Sequence, residues 1–256
     1  MTALLRCAGL HKSFGGVRAV QDISLEVAAG AVQAVIGPNG AGKSTLLNLL
    51  SGVYPPSAGR IEFEGRDLAG LPAHRRARLG IARTFQKIRL FKQLTLLENV
   101  LAGFHIHHRI PWWQYPFPAG SARADRTRCH DEAHRLLAFV GLADRTDTRA
   151  GSLAYGQQRM LEIARALATA PKLFMLDEPA AGLNSAEVEF LLGRLNELRG
   201  RGLTLVVVEH NMDLVMSVAD RVFVMDHGEF LFEGPPAEVQ RHPGVIAAYL
   251  GAEALA

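Results

Sequence analysis

The sequence predicts an α/β fold: a parallel-sheet core with an antiparallel β subdomain and an inserted α-helical subdomain. Three observations predict it. Four short apolar runs without alternation, 31–36, 172–176, 203–208 and 221–225, read as strands buried on both faces of a parallel sheet. Helical patterns lie between them, and a glycine-rich loop joins the first run to a helix at 45–51.

In chain order, Ile23, Leu25 and Val27 alternate with polar positions, and 59–65 reads as a hairpin strand between turn glycines. A small antiparallel sheet packed on the core follows. From 87 to 158 helical patterns dominate, with Ala133, Leu136, Leu137 and Val140 on one face. Within it, 105–128 breaks the period and carries Pro111, Trp112, Trp113, Tyr115, Pro116 and Pro118, so it reads as an irregular insertion. His105, His107 and His108 have no matching Cys or carboxylate pair and read as a solvated loop, not a metal site. Val188, Leu191, Leu192, Leu195 and Leu198 make a helical stripe whose simplest role is core packing.

The joining loop carries chemistry. Residues 37–44 read Gly-Pro-Asn-Gly-Ala-Gly-Lys-Ser, the phosphate-loop pattern, so the core is that of a P-loop NTPase (RecA-like). Gly37, Asn39, Gly40 and Gly42 let backbone N–H groups point at phosphate oxygens, and the helix that starts nearby adds its positive end. Lys43 reaches the β- and γ-phosphates, Ser44 ligates Mg²⁺, and Thr45 completes the loop's contacts. A plain glycine-rich turn is the competing reading; the strand before and the helix after decide against it. ATP and Mg²⁺ are the expected cofactors.

A hydrolase of this type needs acids at the end of a second strand. The run 172–176 ends in Asp177 and Glu178, the first suited to Mg²⁺ and the second to orienting or deprotonating the attacking water. Gln86 is placed to touch Mg²⁺ or that water, and His210, after the strand ending at Val208, to hydrogen-bond the γ-phosphate.

Composition permits this and excludes little. The chain has 256 residues, 48% hydrophobic and 21% charged, with a formal charge of +3. That suits one large α/β domain with a subdomain. Cys7 and Cys129 lie far apart and read as two ordinary thiols in a reducing compartment. No run reaches the ~18–20 apolar residues needed to span a bilayer, and the apolar start is too short for a signal sequence. The cluster Arg75, Arg76, Arg78, Arg83, Lys87, Arg89 and Lys92 reads as a solvated face or a surface beneath anionic lipid. No specific nucleic-acid partner is expected.

In this order the motifs resemble those of the ATP-binding subunits of ABC transporters, over nearly the whole chain. Residues 37–44 match Walker A, Gln86 the Q-loop, Asp177 and Glu178 Walker B with its catalytic Glu, and His210 the switch histidine. Leu153, Ala154, Tyr155, Gly156 and Gln157 match the signature, 181–184 the D-loop, and Phe14 the aromatic that stacks on adenine. The resemblance implies three parts: 1–86, the first part of the nucleotide-binding core with the β subdomain; 87–158, a helical subdomain ending in the signature; and 159–256, the rest of the core with a C-terminal extension. It also implies head-to-tail pairing with a second ATPase subunit, copy or paralogue, each ATP lying between one Walker A and the other signature. Opening and closing then drive alternating access in two membrane-spanning permeases, at the cytoplasmic face of the bacterial inner membrane.

The finer resemblance is to the LivG-type ATPases of branched-chain amino-acid importers, which also depend on a periplasmic solute-binding protein. It rests on 83–86, 89–91, 97–100, the signature helix to Arg165, 176–184 and 243–251. Ala154 stands where a Ser commonly donates to the γ-phosphate, and Asn184 replaces an Asp. Phe14 lacks a hydroxyl that stacking does not need. Tyr155 replaces a glycine, with contact to the partner subunit as the expected reason. ATPases of urea or amide importers share these stretches. A lipopolysaccharide-export ATPase is disfavoured by the 155–158 signature and the insertion around Trp112 and Trp113. A soluble clamp on DNA or ribosomes usually carries two nucleotide domains or a long coiled coil, and this chain has neither.

Overall fold

The computed structural model describes residues 3–106 and 121–253. Two sheets form its frame. The smaller is antiparallel, in the order β2(Val17–Ala28)-β1(Ala3–Phe14)-β4(Ala58–Phe63)-β5(Arg66–Asp67). Alternation drives it: in β2, Ile23, Leu25 and Val27 are buried while Ser24 and Glu26 face water. The β4–β5 hairpin pairs Phe63 with Arg66, so Glu64 and Gly65 form a two-residue turn with φ of 51° and 73°.

The larger sheet has the order β10(Glu229–Gly234)-β9(Arg221–Asp226)-β3(Val32–Ile36)-β8(Thr204–Val208)-β7(Leu173–Asp177)-β6(Ile81–Arg83). All neighbours from β9 to β6 are parallel, and only β10 runs antiparallel. Every residue of β3, β7 and β8 is buried, as their unbroken apolar sequences predict. The short β6 and the C-terminal β10 were not legible as strands; three residues at a sheet edge leave almost no periodicity to read.

Helix α1(Lys43–Ser51) follows β3, and α2(Ala73–Arg78) precedes β6. The chain then leaves the sheet for α3(Leu96–Phe104), α4(Ser121–Phe139) and α5(Tyr155–Leu167) before returning as β7. Thr95 and Glu98 form a capping box that starts α3. Ala133, Leu137 and Val140 are buried, with Leu136 packed beside them, as their shared face requires. The irregular reading of 105–128 needs correction at its end, because 121–128 are the first turns of α4. His107, His108, Pro111, Trp112, Trp113, Tyr115, Pro116 and Pro118 lie outside the described residues. Helix α6(Ser185–Gly200) buries Leu191, Leu195 and Leu198 in the core. The C-terminal α7(Met212–Val218), α8(Pro236–Val239) and α9(Pro243–Glu253) close the far side around Ile36, Val222 and Val224.

The basic cluster is not one solvated face. Arg76 is buried and donates to the carbonyls of Leu49 (2.8 Å) and Leu50 (2.9 Å) in the last turn of α1, and of Leu71 (2.9 Å) and Leu68 (3.2 Å). It serves as a C-terminal cap for the helix after the phosphate loop. Arg83 is also buried, in the site itself. Side chains that cap internal carbonyls look the same in sequence as ones that meet water.

Candidate functional site

Because β3, β8 and β7 are parallel neighbours, their carboxyl ends share one edge of the sheet, where ligands of open α/β sheets bind. Gly37 follows β3, His210 follows β8 and its neighbour Glu209, and Asp177 ends β7 with Glu178 next. A cavity of about 430 Å³ opens here. Asn39, Gly40, Gly42, Lys43, Ser44 and Thr45 line one wall. Gln86 and Glu178 line the cavity too, and Val17, Arg18, Ala19, Ala41 and His227 complete it. A larger cleft of about 810 Å³ lies between the α2–β6 edge and α3 and α5, but no phosphate loop lines it. Chemistry rather than size marks the site.

The loop's glycines are demanded by its packing. A Cβ on Gly37 would lie 2.0 Å from the Met225 carbonyl oxygen, and one on Gly42 would lie 2.2 Å from that of Ala19. Gly42 also has φ 93° and is the N-cap of α1. With glycine there, no side chain caps the helix, and its first turn holds no acid. Free N–H groups and the positive dipole end therefore face the cavity, as an anion site requires. Lys43 is buried and folds back, its Nζ donating to the carbonyls of Gly37 (2.6 Å) and Pro38 (2.8 Å). Burial pushes its pKa down, and Glu178 and Asp177 oppose that shift. A cation whose hydrogen bonds go to carbonyls is poised for a stronger anionic partner.

Asp177 is almost fully buried. Its Oδ1 accepts from Ser44 Oγ (3.4 Å) and its Oδ2 from Arg83 Nη2 (2.7 Å). Arg83 Nη1 continues to Asn48 Oδ1 (2.7 Å) and Ser51 Oγ (3.1 Å) on α1. Ser44 and Asp177 thus bring oxygen donors together beside the phosphate loop, the donor set a Mg²⁺ ion takes. Glu178 adopts a left-handed φ of 47°, its N–H bonds the Val208 carbonyl (2.9 Å), and its Oε2 accepts from Gln86 Nε2 (3.0 Å). Such a conformation at a non-glycine residue is what a fixed functional side chain often costs.

His210 is more than half exposed, and its N–H donates to Glu209 Oε2 (3.1 Å). Sequence reasoning passed over Glu209. It is fully buried and also accepts from the N–H of Ala180 (2.7 Å) and of Asn211 (3.3 Å), tying the segment after Glu178 to the one carrying His210. Arg18, His227 and Arg83 were missed as site residues too; only Arg83 had a sequence cue, its place three residues before Gln86.

Phe14 lies outside the cavity lining. It sits edge-on to Tyr54 (5.3 Å between centroids), 43% exposed, with Lys12 Nζ 5.2 Å from its ring. Leu153, Ala154, Gly156 and Gln157 do not line the cavity either. Ala154 is the N-cap of α5 and supplies no side-chain bond, and Gln157 Oε1 accepts from Arg145 (3.1 Å). Asn184 caps α6 in a reciprocal box with Glu187, which gives that residue a role within the chain. Tyr155 likewise has an internal neighbour: its ring covers Gly182, where a Cβ would lie 2.9 Å from Cε1.

Phosphate loop, paired acids and the facing glutamine define a P-loop ATPase cassette. The ABC transporter family matches residues 20–181, and the branched-chain amino acid ATP-binding cassette transporter family matches 231–254. The high-affinity branched-chain amino acid transport ATP-binding protein BraF of Pseudomonas aeruginosa is 43% identical, covering 97% of this chain and 98% of its own. LivG of Escherichia coli K12, with the same description, is 41% identical over the same shares. A crystal structure of the ADP conformation of an ATP-binding cassette from an ABC transporter superposes with a TM-score of 0.85 at 32% identity, covering 98% of this chain and all of that one. The chain belongs to the ABC transporter family, in its branch of branched-chain amino acid ATP-binding cassettes. It is an ATP hydrolase, and no helix among the described residues is long and apolar enough to cross a membrane.

Proposed function

We propose that this chain powers a branched-chain amino acid importer as one of two ATPase subunits at the cytoplasmic face of the inner membrane. Two permeases span the bilayer above them, fed by a periplasmic solute-binding protein. The observation that carries the reading is where the signature residues make their contacts: they neither line the 430 Å³ cavity nor, unlike Asp177, bond the phosphate loop, and Gln157 pairs with Arg145 while Tyr155 lies on Gly182. A second subunit, turned head to tail, supplies them. The relatives' names carry the solute.

In this reading Lys43, Thr45 and the loop N–H groups hold the phosphates of the substrate ATP. Ser44 and Asp177, with Gln86, would hold Mg²⁺, which would neutralise phosphate charge when bound. Glu178 orients the water or takes its proton, aided by Gln86, and His210 senses the γ-phosphate. Phe14 stacks on adenine from the edge of the site. Residues 1–86 and 159–256 act as the core and 87–158 as the moving helical part. The 810 Å³ cleft, bordered by Phe85, Leu90 and Phe91 close to Gln86, is the surface through which a permease feels that motion.

The test is mass spectrometry of what co-purifies with the chain from detergent-solubilised native membranes. Polytopic permeases, an ATPase partner and a Leu/Ile/Val-binding protein are expected. Recovery only from the soluble fraction, alone or with nucleic acid, overturns the importer.

A further inference from the structure

Among the described residues Arg159 is the largest fully buried side chain, and no role above uses it. It sits in the first turn and a half of α5, the helix that the signature residues begin. Its guanidinium points out of the helix into the segment that carries Gln86. Nη1 donates to the carbonyl of Phe85 (2.8 Å) and to Glu162 Oε2 (2.9 Å). Nη2 donates to the carbonyl of Gln86 (2.9 Å) and to Tyr155 Oη (3.3 Å). One turn on, Glu162 Oε1 accepts the N–H of Arg89 (3.2 Å), and Arg165 bonds the Arg89 carbonyl.

Residues 85–89 are therefore held by their own backbone atoms to a single helix. The same helix touches the segment after Walker B through its first turn. The Tyr155 ring lies on Gly182, and Gly156 leaves room for Glu187, whose Oε1 would be 2.2 Å from a Cβ there. A planar fork that bridges two successive carbonyls fixes orientation as well as distance, which a lysine's point charge does not.

We infer that Arg159 is a positioning residue: it locks the Gln86 backbone to α5, so that a shift of the signature helix moves Gln86 against Glu178. Seating of α5 on a partner's nucleotide then sets the geometry of this chain's own hydrolytic pair, 3.0 Å apart here. The link from Gln86 to turnover rests on the roles proposed above for Gln86 and Glu178; the lock itself does not.

The test uses the full chain with Arg159→Met/Glu162→Gln. The pair removes both buried charges together and keeps an acceptor for Arg89, so neither charge is left alone. Tryptic cleavage after Lys87 and Arg89, both exposed, is expected to accelerate at least tenfold in the folded variant, while amide exchange in β3 and β7 is unchanged. ATP affinity should hold, and kcat should fall on the order of tenfold to a hundredfold, the scale of a misplaced catalytic contact. Arg159→Lys should not restore kcat. Unchanged cleavage at Lys87 and Arg89 in the folded variant overturns the lock. Faster cleavage with parental kcat, or rescue by Lys, overturns its part in hydrolysis, and Glu178→Gln assayed alongside shows whether the site reading failed instead.

Discussion

Arg83 and Asp177 form a buried ion pair, 2.7 Å from Nη2 to Oδ2, with both side chains at most 6% exposed. The pair joins β6 to β7, and through Asn48 and Ser51 it also reaches α1. One carboxylate oxygen is thereby used for structure, while the other is left facing Ser44.

Removing one partner of such a pair leaves a buried charge uncompensated, at a cost of about 3–5 kcal/mol. Arg83→Met should lose that much stability in urea unfolding. Arg83→Met/Asp177→Asn, with both charges gone, should recover most of it. If the double variant is no more stable than the single one, the pair does not carry the stability assigned to it.

Burial disfavours the charged form of Lys43 in the nucleotide-free chain. Its folded pKa lies below the ordinary 10.5, mainly through burial, so the unfolded chain holds that proton more firmly. Stability without nucleotide should therefore rise with pH between the folded value and 10.5, and Lys43→Met should abolish that rise. The same variant should unfold at an equal or higher temperature without nucleotide, yet lose the upward shift that millimolar ATP gives the parent. A full ATP shift in Lys43→Met would remove Lys43 from the phosphate site.

Glu178→Gln keeps an oxygen and a similar shape but cannot take a proton. It should bind ATP normally and hydrolyse it on the order of a hundredfold or more slowly. Size-exclusion chromatography at millimolar ATP should then show a trapped dimer. Parental turnover would mean that Glu178 is not the base.

The sheet and the phosphate loop were legible because strands buried on both faces leave unbroken apolar runs, as in β3, β7 and β8, and because a loop that must curl around phosphate spells itself in glycine. Asp177, Glu178 and Gln86 were legible through their order along the chain. What escaped was polar and buried. Arg76, Arg159 and Glu209 bond carbonyls or N–H groups of distant segments, and Arg83 bonds the side chains of Asp177, Asn48 and Ser51; nothing in the neighbouring residues records those partners. Tyr155 escaped for a related reason: its in-chain neighbour, Gly182, has no side chain to suggest a contact.

The strand order has one more consequence. With β8 standing between them, the strands that carry the lysine-bearing loop and the two acids keep an axis-to-axis interval of two inter-strand steps, about 10 Å, set by hydrogen-bond spacing, which the side chains of Ser44 and Asp177 bridge. The long excursion through α3, α4 and α5 departs from the outermost strand, β6, and re-enters at its immediate neighbour, β7. Residues can be gained or lost along that excursion without altering the interval. The sheet is a fixed ruler for hydrolysis, and the lobe it suspends is free to be recut for a different membrane partner.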